Sequence, residues 1–174
     1  MWVQLWNSVL LALAAQEVAM VEKLHWLGHD TFRVDGPPVV YVDPYRLPEG
    51  LPKADLILIT HDHFDHCSPE DVAKIRKPVT WVVGPASAAK KLTGVQMMTA
   101  GETKVLAGVT VKAVPAYNLT KPFHPKDAGG LGFLFTVAGV TYYHAGDTDL
   151  IPEMADLAPD VALLPVSGTY VMTA

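Results

Sequence analysis

From Lys23 onward the chain runs in short apolar stretches broken by glycine, proline and aspartate. That texture predicts short strands joined by turns. Leu24 to His29 leads into Thr31 to Val34, Asp35-Gly36 reads as a turn, and Val39 to Val42 follows before Asp43-Pro44. The run Leu56-Ile57-Leu58-Ile59 predicts a buried strand. Ser68-Pro69-Glu70-Asp71 carries a capping serine, a proline at the first helical position and acids in the first turn, so a helix is expected over 69–76. A strand at Val79 to Val83 and a helix over 86–92 begun by Pro85 come next. Short strands around Val95 to Met98, Thr103 to Leu106 and Val109 to Val114 are punctuated by Gly94, Gly101 and Gly108. Leu131 to Val137 and Val140 to Tyr143 form a hairpin about Ala138-Gly139, 149–157 is a candidate helix, and Val161 to Leu164 reads as a short buried strand.

Residues 1–20 have a different pattern. Trp2, Leu5, Trp6, Val9 and Leu13 recur at helical spacing and give one apolar face. The expectation is an N-terminal helix or extension packed on a domain over 21–174 or on a second subunit, so a homo-oligomer is one expected outcome. Val9 to Ala15 also resembles the apolar core of a signal peptide, but no positive charge precedes it. Cytoplasmic residence is therefore expected, with export as the alternative if 1–19 act as a signal. An extension placed before a start at Met20 is a third reading.

Many short strands with interspersed helices indicate an α/β layered sandwich. The 174 residues fit one domain with a sizeable core. Half are hydrophobic and 18% are charged, which argues against disorder. A net charge of −5 argues against a general nucleic-acid surface, and one cysteine excludes an internal disulfide framework. No apolar run is long enough for a membrane span.

The chemistry concentrates where the apolar run ends. His61, His63, Asp65 and His66 fall within six residues. Imidazole nitrogens and carboxylate oxygens are the ligands borderline divalent metals prefer. Residues two apart in an extended segment project to one side, so His61 and His63 can converge on one ion. Asp65 and His66 are adjacent, and with a turn there they address a second ion.

THDHFDH matches the HxHxDH signature and resembles the metallo-β-lactamase superfamily, from Lys23 to the end. WLGHDTFRV followed by VVYVDPY resembles the branch that includes L-ascorbate-6-phosphate lactonase. The resemblance implies a four-layered αββα sandwich with two divalent ions, zinc by default and manganese or iron acceptable, at one edge between the sheets. It implies a metal-dependent hydrolase that uses a metal-bound hydroxide on an ester, lactone, phosphoester or amide of small size. Asp65 is the expected catalytic residue, orienting the nucleophile and passing a proton, besides its role as a ligand. The GDT at 146–148 matches the later motif whose aspartate, here Asp147, bridges both ions. Where the family places a third histidine, this chain reads Tyr117-Asn118; His124 is taken as the substitute ligand, with a substrate-loop role as the alternative. Lys121 and Lys126 flank it and suggest an anionic substrate, or else are solvated. His29 reads equally as a site-mouth or a loop residue. Asp43 is expected to support the ligand loop by hydrogen bonding, and His144 to lie behind the ligands. Family members continue past Ala174 through a helix and strand to a last histidine, so this chain is expected to be truncated there, with its second site weak. The rival functions are a catalytically silent metal-binding domain and an iron-dependent redox member of the superfamily.

Overall fold

The computed structural model describes residues 22–174. The expected N-terminal helix over 1–20 lies outside them. Two sheets face each other. The first has six strands in chain order: β1 (Leu24–Gly28), β2 (Thr31–Val34), β3 (Val40–Val42), β4 (Leu56–Leu58), β5 (Trp81–Gly84) and β6 (Val95–Met97). β1 to β3 pair antiparallel and β3 to β6 parallel. The second sheet contains β7 (Thr103–Leu106), β8 (Val109–Pro115), β9 (Leu131–Val137), β10 (Val140–His144) and β11 (Val161–Leu163), in the order β11-β10-β9-β8-β7. Its pairs are antiparallel except β10 with β11.

Side-chain alternation builds the layers. Val40, Val42, Leu56, Leu58 and Val83 point inward against Val111, Phe133, Phe135 and Tyr142 of the other sheet, and all are buried. Tyr41, Ile57 and Val82, one residue out of phase, point to the far side of the first sheet. There they meet Val72 and Ile75 of helix α1 (Pro69–Ile75) and Ala88 and Leu92. On the far side of the second sheet, Val114, Tyr143 and Ala145 pack with Met154 and Leu157. The αββα order follows, with thin outer layers. β4 is covered on both faces, and each of its fully buried side chains contributes about 1.5–3 kcal/mol.

The helix expected over 86–92 is a single 3-10 turn, Ala88–Lys90. Only eight residues separate Pro85 from Gly94, where the backbone turns left-handed, and so short a stretch does not offset the cost of helix nucleation. In place of a helix over 149–157 there is one 3-10 turn, Pro152–Met154. Pro152 holds Ile151 extended, and the Asp149 carboxylate binds the Leu119 amide instead of capping. β11 is an edge strand and is only partly covered, so the expectation of a buried strand is corrected.

Candidate metal centre

The chain ends of β4, β8 and β10 meet at one edge of the sandwich. The Leu131 amide donates to the Thr60 carbonyl at 2.9 Å and so ties β9 to the loop after β4. Gly146 passes through the same junction with φ +64°. A Cβ there would lie 2.9 Å from both the Leu131 carbonyl oxygen and Thr60 Cβ. Thr148 then fixes the loop, because its hydroxyl donates to Tyr117 O at 2.9 Å and accepts from the Tyr117 amide at 3.1 Å.

Four of the residues singled out in the sequence converge here. His61, His63, His124 and Asp147 each offer a donor atom, and those atoms lie within 4.8 Å of one another. Nε2 of His61 is 3.0 Å from Nδ1 of His63, which is 3.2 Å from Nε2 of His124. His124 Nε2 is 3.1 Å from Asp147 Oδ2, and His61 Nε2 is 3.9 Å from the same oxygen. A tetrahedral zinc ion with ligands at about 2.0–2.1 Å has ligand–ligand edges of about 3.3 Å. The spacing fits such an ion.

The far nitrogens set the tautomers. Asp43 is fully buried and accepts from the Thr60 amide at 2.8 Å. The Thr60 hydroxyl donates to Asp43 Oδ2 at 2.5 Å and therefore accepts from His61 Nδ1 at 2.9 Å. His66 Nδ1 donates to the same Oδ2 at 2.8 Å. Both rings thus carry hydrogen on Nδ1 and turn Nε2 toward the centre, the usual arrangement behind metal-ligating histidines. Asp43 makes the supporting bonds expected of it. His144 is buried behind the cluster, with Nε2 2.9 Å from the Asp30 carbonyl.

A second group adjoins the first. Asp147 turns Oδ1 toward His66 Nε2 at 3.6 Å, while its Oδ2 serves the first group. Asp65 lies 3.3 Å from His29 Nε2, and donor atoms of His29, Asp65 and His66 fall within the same 4.8 Å limit. Asp30 Oδ2 is 3.7 Å from His66 Nε2. The structure therefore draws His29 into the site and adds Asp30, which the sequence reading passed over. Left-handed backbone at Gly28 and His29 brings both residues over the cluster. The only sequence signal for Asp30 was its place beside His29.

Burial, reinforced by neighbouring His66, lowers the His61 imidazole to about 3, so it is a neutral donor at ordinary pH. Burial opposes charge on His66, but the carboxylates of Asp43, Asp147 and Asp30 outweigh it and lift this imidazole to about 9. Burial would raise Asp147, yet the His124 bond and His66 and His61 hold it far below the usual carboxylate range. Asp30 moves up, because burial and neighbouring acids outweigh His66 and His144. The pocket around His66 Nε2 favours a positive charge, which a proton or a metal ion supplies.

The loop that carries His124 is anchored by Asn118, whose side-chain nitrogen donates to Phe123 O at 2.8 Å and Tyr170 O at 2.7 Å. Lys121 pairs with Asp149, and Lys126 with Glu153 at 3.0 Å. Neither lysine lines the cavity above the cluster, which holds about 580 Å³. Both lysines are thus paired with acids away from the cavity lining.

The family model described as beta-lactamase superfamily domain matches residues 23–174. A metal-dependent hydrolase of Methanoregula boonei is 36% identical over 162 residues, covering 86% of this chain and 71% of its own. Among solved structures, one named as a metal-dependent hydrolase from Parabacteroides distasonis aligns with TM-score 0.81 and 34% identity, over 86% of this chain and 72% of that one. A metallo hydrolase from the hyperthermophilic archaeon Ignicoccus hospitalis aligns with TM-score 0.66 and 28% identity over the same shares.

Proposed function

Because the chain belongs to the beta-lactamase superfamily, we propose that it is a metal-dependent hydrolase whose reaction centre is the cluster of His61, His63, His124 and Asp147. The convergence of those four donors carries the reading. In it, His61 and His124 would give Nε2, His63 Nδ1 and Asp147 Oδ2 to one ion. His66 and Asp65, with Asp147, would hold a second. His29 and Asp30 stand beside that second position. Zinc suits a set of imidazoles and carboxylates, and manganese and iron are accepted by the same donors. A divalent ion there supplies a Lewis acid and brings the pKa of water to about 7.

The chain's own groups do the rest. Asp65, part-exposed at the cavity, orients the attacking water and takes its proton. The water oxygen bonds to the acyl carbon or phosphorus, the bond to the leaving oxygen or nitrogen breaks, and the proton passes to that leaving atom. Among the described residues no helix is long and apolar enough to cross a membrane.

The test compares wild type with the His61→Ala/His63→Ala variant after zinc loading and dialysis. Wild type should retain metal and cleave a chromogenic carboxylic or phosphoric ester, with activity lost to a chelator and restored by zinc. Equal metal content in the double variant, or hydrolysis indifferent to chelation, would refute the reading.

A further inference from the structure

The cavity over the cluster has the volume of a small-molecule site. Its rim carries large apolar side chains that the other described residues leave uncovered. Phe64 is 71% exposed, Phe123 42% and Tyr170 54%. Phe123 and Tyr170 meet edge to face at 4.9 Å, and Phe64 meets Tyr45 in the same way at 5.9 Å. The first pair is held in place: Asn118 bonds the carbonyls of both Phe123 and Tyr170, and His124 Nδ1 lies 3.3 Å from Tyr170 O. The aromatic wall is therefore fixed to a ligand residue and needs little ordering on binding.

Charge narrows the choice. Asp30, Asp65 and Asp147 line the cavity and Asp43 lies behind them. Two divalent ions would offset those four carboxylates and leave no surplus. Among the described residues no lysine or arginine lines the cavity. Lys121 is spent on Asp149, and Lys126 on Glu153 and on the Tyr117 ring, 4.4 Å from its centre. A phosphate or carboxylate substituent away from the reacting bond would lose its hydration with no cation to replace it. An apolar substituent gains from every Å² of ring it covers.

We propose that the substrate is a neutral ester, lactone or amide with an apolar acyl or aryl group, bound by Phe64, Phe123 and Tyr170. This rests on the hydrolase reading and adds the substrate class. Binding of hydroxamates to the zinc-loaded protein, measured by calorimetry, tests it without turnover. From acetohydroxamate through butyro- to hexanohydroxamate, affinity should rise on the order of two- to fourfold per methylene. The Phe64→Ala and Phe123→Ala variants should flatten that series. A flat wild-type series, no binding at all, or tighter binding of phosphonoacetohydroxamate than of hexanohydroxamate would overturn the proposal. Turnover of p-nitrophenyl acetate and hexanoate separates the two readings. A steep hydroxamate series without ester cleavage sinks the hydrolase reading and leaves the apolar site standing. Cleavage with no preference for the longer ester sinks the apolar site alone.

Discussion

Oδ2 of Asp43 lies 2.8 Å from Nδ1 of His66, and both side chains are shut away from solvent. The same oxygen takes the Thr60 hydroxyl hydrogen, and Thr60 in turn accepts from His61. One buried carboxylate thus orients a histidine in each of the two groups. Asp43 has φ +45°, a conformation asparagine tolerates, so Asp43→Asn keeps the backbone and removes the charge. The expected result is a stability loss of roughly 1–3 kcal/mol and metal affinity lowered about 10- to 100-fold. Thermal melting and zinc titration would check it; unchanged zinc affinity would deny Asp43 its orienting role.

His124 and Asn118 have separable duties. His124 Nε2 faces Asp147 and His63, whereas the Asn118 amide nitrogen is spent on two carbonyls. His124→Ala should release metal at little cost in the melting temperature of the metal-free protein. Asn118→Ala should lower the melting temperature, by the equivalent of about 1–3 kcal/mol for groups left unpaired, and weaken metal binding less. The reverse order in a side-by-side metal assay would make Asn118 the ligand-side residue.

Gly146 sits where two backbones nearly touch. In Gly146→Ala the new Cβ would collide with Leu131 O and Thr60, and φ +64° adds strain of about 1–2 kcal/mol. The neighbour Asp147 must shift in response. Melting temperature and zinc retention should fall together; a variant as stable and as metal-rich as wild type would contradict the close approach.

Asp71 gives a pH dependence outside the histidine and aspartate cluster. Burial would raise its pKa, but bonds from Ser68 and Lys74 and from the Leu47 and Arg46 amides hold it below the ordinary value. A depressed carboxylate contributes stability that is present above its unfolded pKa of about 4 and is lost as pH falls through the folded value. Denaturant unfolding of wild type and Asp71→Asn should therefore differ most near neutrality and converge in acid. A gap that widened below pH 4 would reverse the assignment.

Much of the fold was legible because local signals agreed. The serine cap and proline at Ser68-Pro69 start α1 as expected, and the apolar run 56–59 is covered on both faces. His61, His63, His66 and Asp147 could be singled out because ligand-type residues crowd the ends of apolar strands. The roles of Lys121 and Lys126 were not legible, since their partners Asp149 and Glu153 lie 28 and 27 residues away. Asp30 carried no signal of its own; only the turn between β1 and β2 places it 3.7 Å from His66. The helices expected over 86–92 and 149–157 failed because glycine and proline shortened stretches with too little covered face to sustain a helix.

The most direct test of the central claim is an anomalous difference map from crystals of the zinc-loaded protein, measured at the zinc edge. The first group has four donors at short mutual distances, and the second is more open. The strongest peak should therefore lie between His61 Nε2, His63 Nδ1, His124 Nε2 and Asp147 Oδ2, with a weaker peak, if any, between Asp65 and His66. A map with no peak among those four atoms, or with its strongest peak elsewhere, would contradict the account.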